Sequence, residues 1–192
     1  MVIFMREKIL YTISRIGILL MANVICPILS ITLVSWIASL FITGSGGRIK
    51  IKDALFESGG LYSFVAWIIV LFILVILFID DGVKHSAYES YDSTSISIVL
   101  ILMFAVYYIP VLFMNRTTGN TQTGFKGFYY PCKWIGEKFS LTYEVSALIS
   151  IGATLILCLL GYVIAHAIYM KKHPALDWRV KNPNADYSSK DE

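Results

Sequence analysis

The chain has 192 residues, 57% of them hydrophobic and 15% charged, with a formal net charge of +3 and a mean hydropathy of +0.69. A soluble domain of this length hides one core and keeps roughly a quarter of its residues charged, so this composition excludes an ordinary soluble fold. The basic residues flank long apolar runs and form no separate patch, which argues against nucleic acid as a partner.

Residues 16–42 form the first apolar run, with Arg15 just before it. A bilayer core about 30 Å thick needs roughly 20 mostly apolar residues to cross it as a helix, and this run is long enough. Arg6 and Lys8 precede it as in a secretory signal. The run is too long for a signal core and no small-x-small cleavage site follows it, so a retained span is expected. Within it Asn23, Cys26, Pro27 and Ser30 recur at one helix face. Pro27 lacks an amide hydrogen and crowds the carbonyl of Asn23, which predicts a kink. A side-chain amide in hydrocarbon needs a partner, so Asn23 should face protein.

Residues 61–79 form the second run, closed by Asp80 and Asp81. From Phe64 to Ile79 the one polar group is the Trp67 indole. The link from Asp80 to Ser95 holds Asp80, Asp81, His85, Glu89 and Asp92, in a spacing that matches no specific metal motif. Residues 96–114 form the third run, apolar apart from Ser97, Tyr107 and Tyr108. The second and third spans therefore look suited to lipid or to an apolar partner.

The long link from Asn115 to Glu144 contains Tyr129, Tyr130, Pro131, Cys132 and Trp134. Rings with a polar handle prefer the headgroup level, which predicts a segment lying along the membrane surface, with a short helix from Cys132 to Phe139. Residues 145–170 form the fourth run, with Ser146, Ser150, Thr154 and Cys158 spaced four apart. Such a ridge of small residues lets another helix approach closely, and Ala22, Cys26 and Ser30 offer the same spacing on the first span. Packing of the first span on the fourth is the expectation. His166 falls one turn from the end of that run, near the headgroups.

The fold class is thus all-α: a four-transmembrane-helix bundle over residues 1–170, with spans at about 16–42, 61–79, 96–114 and 145–170, short loops, and a polar tail over 171–192 carrying Trp178. A transmembrane barrel would show short alternating segments, and these runs do not alternate. Lys and Arg near the span ends number nine on the side of both termini and seven on the other. That bias, with Lys171 and Lys172 directly after the last run, places both termini in the cytoplasm of a cell-membrane protein.

No Asp, Glu, Lys or Arg lies inside the four runs, where ion-coupled transporters usually keep one. The three cysteines, Cys26, Cys132 and Cys158, are not paired as C-x-x-C, and no hydrolase or nucleotide-binding signature occurs. No enzyme activity, cofactor or metal is expected. The reading is a multi-pass protein that binds a membrane-protein partner or itself within the lipid bilayer. Asn23, Cys26, Ser30, Ser150 and Thr154 form its candidate intramembrane polar face. Tyr129, Tyr130, Trp134 and Trp178 form its candidate interfacial or partner surface. The rival readings are a small-solute channel or transporter lined by that polar face and, more remotely, a membrane enzyme.

Overall fold

The computed structural model describes residues 2–41, 59–88, 92–114 and 126–174. Glu89 and the tail from residue 175 on, with Trp178, lie outside them. Four long helices carry the fold: α1 (Val2–Phe41), α2 (Gly59–Ala87), α3 (Ser93–Met114) and α5 (Tyr143–Lys172). Between α3 and α5 lie a 3₁₀ turn (Tyr130–Cys132) and a short helix α4 (Lys133–Phe139). All four long helices are long and apolar enough to cross a membrane, over 8–37, 60–87, 93–113 and 143–172. The all-α four-helix architecture expected from the apolar runs is therefore what the chain forms.

Each long helix buries a narrow stripe and leaves its apolar remainder outside. On α1 the buried stripe is Leu19, Ala22, Asn23, Cys26, Ser30 and Val34, while Met21, Val24, Ile25, Ile28, Leu29 and Trp36 are exposed. The same holds for α3, where Ile96, Val99, Leu100, Met103, Tyr107 and Val111 face inward and Ile98, Ile101, Ile109 and Phe113 face outward. In water such a surface would aggregate. In lipid it is the solvated face, and small or polar residues are what the interior uses for close packing.

The helices are arranged as a square in the order α1, α2, α5, α3. The largest contact is α2 with α5, and α1 touches α2 and α3. The sequence-based pairing of the first span with the fourth is therefore corrected: α1 and α5 stand on opposite corners. The small stripe of α5 is occupied from the other side, because the Trp67 indole of α2 reaches across it and donates to Ser150 O at 3.3 Å and Thr154 Oγ1 at 3.2 Å. A large ring filling the groove beside a small-residue ridge removes the space that a second backbone would need.

A second correction concerns the end of the second span. Asp80 and Asp81 do not close the helix; α2 continues two more turns to Ala87. Its last turns meet α5 at a close approach permitted by Gly82, where an added Cβ would lie 2.5 Å from Tyr162 O and 3.0 Å from Ala165 Cβ. Asp92 then caps α3, accepting from Thr94 N at 3.0 Å and Ser95 N at 3.2 Å. Lys8 of α1 reaches the same cap, donating to Ser95 Oγ at 2.8 Å and lying 3.4 Å from Asp92 Oδ2.

Candidate functional site

Among the described residues two polar centres lie inside the bundle. The first lies where α1, α2, α3 and α5 converge. Asn23, Trp67, Tyr107, Ser150 and Thr154, with Leu19, Val70, Pro131 and Ile151, line a cavity of about 10 Å³. That is the lower limit for one water molecule. Asn23 donates from Nδ2 to Leu19 O at 2.9 Å, Thr154 donates to Ser150 O at 2.8 Å, and Ser150 donates to Ala147 O at 3.1 Å. Hydroxyl donation to a carbonyl one turn back is the usual way a helix satisfies such a group in an apolar setting. Of the sequence-based polar face, Asn23, Ser150 and Thr154 meet at this cavity. Cys26 and Ser30 are buried on the same stripe of α1 but do not line it, and Ser30 donates to Pro27 O at 2.8 Å.

The link between α3 and α5 closes this centre from one end. Tyr129 is 1% exposed and its hydroxyl donates to Tyr107 O at 2.8 Å. Pro131 lines the cavity and Cys132 is buried beside it. The segment therefore does not lie flat on the membrane as an aromatic belt; its 3₁₀ turn inserts among α1, α2 and α5. Non-helical backbone at that depth is tolerated where protein surrounds it. Burial, with Cys132 close by, pushes the Tyr129 hydroxyl up to about 12, and burial pushes the Cys132 thiol up to about 12. Tyr129 is thus a core group and not a surface one. Tyr130 remains half-buried with Lys133 Nζ 6.0 Å from its ring centroid. Trp134 is half-buried too, its ring edge-on to Phe64 at 4.9 Å and tilted against Trp67 at 5.4 Å. Its Nε1 is buried with no acceptor among the described residues.

The second centre lies near the opposite end of the bundle, and reading the apolar runs missed it. Asp81, 3% exposed, accepts from Arg15 Nε at 2.8 Å and from Tyr11 Oη at 2.6 Å, while Arg15 Nη2 closes a bidentate pair on its other oxygen. The Tyr11 ring lies 5.6 Å from the His85 ring, and His85 Nδ1 is 3.0 Å from the Tyr162 hydroxyl. At the next residue, Ser86 donates to Gly82 O, and its Oγ lies 2.8 Å from His166 Nδ1. His166 thus faces α2 and is not a free headgroup residue. The network joins α1, α2 and α5.

A signal for it existed. Continuing the buried stripe of α2 (Ser63, Ala66, Val70, Leu74, Phe78) at helical spacing carries it through Asp81 and not through Asp80. Asp80 indeed points outward and pairs with Lys84 on its own helix.

Fold and buried polar centres together describe a helical membrane protein whose interior polar groups are met largely by its own side chains and backbone. No family model, curated protein or solved structure matches this chain.

Proposed function

We propose that this chain is a multi-pass protein of the cell membrane that acts by binding another membrane protein, as an accessory subunit of a complex or as an immunity-type protein, and not as an enzyme or carrier. The observation that supports this reading is how little space the first centre leaves. Asn23, Ser150 and Thr154 would line any solute path, yet they close on Trp67 and Pro131 with room for one water. The second centre supports it also, since Asp81 is held by Arg15 and Tyr11 and leaves no unpaired carboxylate there for ion coupling. What the bundle offers outward is an apolar exterior and two polar ends. Both termini in the cytoplasm is the orientation favoured by Lys8, Lys171 and Lys172 at the ends of α1 and α5.

The test is reconstitution. Purified protein in liposomes should show no substrate-dependent flux. Asn23→Ala should lower stability by about 0.6 kcal/mol, up to roughly 2, and function should fall only as far as folded protein falls. Removal of the chain after Pro174 should weaken co-purification of the partner in mild detergent without unfolding the helices. Saturable transport by the wild type, abolished by Asn23→Leu at unchanged folded amount, would replace this reading with a small-solute channel or transporter.

A further inference from the structure

The link between α3 and α5 carries an inference beyond partner binding. Its residues 126–139 fold back as a wedge between the helix ends, and under the wedge the polar groups of Asn23, Ser150 and Thr154 lie among apolar side chains. Pro131 closes the cavity on which Asn23, Thr154 and the Trp67 indole converge. We propose that this wedge is a closure that undocks as a unit while the four-helix bundle stays folded, opening the Asn23–Thr154 face to water from that end.

Docking has identifiable holds. The Tyr129 hydroxyl donates to the Tyr107 carbonyl at 2.8 Å, and the Tyr129 ring stands edge-on to Tyr107 at 5.0 Å. Trp134 packs on Phe64 and Trp67. Gly136 lies against α5, where an added Cβ would be 3.0 Å from Ser146 Oγ.

Docking also has an identifiable penalty. Trp134 Nε1 is buried without an acceptor among the described residues. A donor left unsatisfied in this way loses its hydrogen bonds to water, and undocking restores them. The wedge therefore combines apolar burial with one uncompensated polar group, a balance that favours a closed state without making it permanent.

The junction with α5 is built for a change of direction. Ser140 has φ 53, in the left-handed region, and Leu141 N donates to Gly136 O at 3.1 Å to end α4. Thr142 is then extended at φ −69 and ψ 160 before α5 begins. Two residues outside helical geometry, Ser140 and Thr142, can absorb a rotation of α4 without disturbing α5.

Cys132 reports the motion. It sits in the wedge, wholly buried, with its thiol pushed up to about 12 by burial. Cys158 is equally buried in α5 and belongs to the bundle. The full chain in lipid nanodiscs is treated with N-ethylmaleimide at pH 8, and each cysteine is followed by peptide mass spectrometry. Rates are scaled to those of the detergent-denatured chain.

Undocking predicts scaled labelling of Cys132 at least about tenfold faster than of Cys158. Tyr129→Phe, which deletes the hydroxyl and keeps the ring, should speed Cys132 labelling roughly two- to tenfold and leave Cys158 unchanged. Equal scaled rates for the two cysteines in the wild type overturn the proposal, because the wedge then opens only when the bundle unfolds. So does a Tyr129→Phe effect of the same size on both. Cys132 that stays unlabelled for as long as the folded protein persists overturns it as well.

Discussion

Asp80 and Asp81 are neighbours in sequence and opposites in role. One helical step of about 100° puts the first outside, paired with Lys84, and the second inside, held by Arg15 and Tyr11. Removing one partner of a buried pair leaves the other charge uncompensated, at a cost of about 3–5 kcal/mol, whereas replacing both by apolar groups is often near neutral. Arg15→Ala and Asp81→Ala should each lower stability by that order in a detergent-denaturation series. Arg15→Met combined with Asp81→Leu should cost clearly less than the two single changes added. Asp80→Ala, whose pair is exposed, should stay within about 1 kcal/mol of wild type. Asp92 belongs to the same scale. Its carboxyl is held below the usual range, first by the Ser95 hydroxyl and then by the Ser95 amide, with Lys8 contributing. A depressed carboxyl stabilises the fold above its ordinary titration range, and that stabilisation is lost as pH falls through the lowered value. Asp92→Ala should therefore cost about 0.5–2 kcal/mol at pH 7. The difference from wild type should shrink as the pH is brought below about 4, the ordinary range for Asp.

At the scale of the elements, the bundle depends on how closely α2 and α5 approach. Gly82 sets that distance, because any Cβ there would strike the Tyr162 carbonyl at 2.5 Å, and a backbone atom cannot swing aside. Gly82→Ala should lower stability by about 1–3 kcal/mol and loosen the His85–Tyr162 and Ser86–His166 contacts that the approach creates. Gly152 on α5 is the control, since nothing lies within 4 Å of a Cβ built on it. Gly152→Ala should be neutral or slightly stabilising, by up to about 1 kcal/mol from helix propensity. Equal losses at the two glycines would show that the α2–α5 approach is not what Gly82 secures. The neighbouring helices can be tested the same way. Cysteine pairs between the inward stripes of α2 and α5 should crosslink at successive depths, while pairs between α1 and α5 should not, except at the depth where Asn23 and Thr154 meet at the cavity.

At the scale of the whole molecule, the end joining the start of α1 to the start of α3 through Lys8, Ser95 and Asp92 also holds the Arg15–Asp81 pair and the His166 contact. Both termini of the bundle belong to that end. A reporter active only outside the cytoplasm should be silent when fused at Glu192 and active when fused after Gly46. The reverse pattern would invert the proposed orientation without touching the fold.

Number and class of the long helices were legible from the apolar runs, because crossing hydrocarbon imposes a composition that no folding detail can disguise. So were the short helix ending at Phe139 and the convergence of Asn23, Ser150 and Thr154 on the protein interior, since polar groups in lipid must turn inward. The order of the helices around the square was not legible. Small-residue ridges on α1 and α5 announce that something packs closely there, but not what, and the bulk of Trp67 settled it by filling the groove. The extent of α2 was hidden for a related reason: Asp81 ends a hydropathy run, yet Arg15 and Tyr11, some 70 residues earlier in the chain, neutralise it and let the helix continue. Likewise Tyr129 and Pro131 carry the composition of a membrane surface, and their burial follows from a space among the other helices that local sequence does not encode. Runs along one chain segment register the demand of the lipid. Which partner meets each buried group is a property of distant segments brought together.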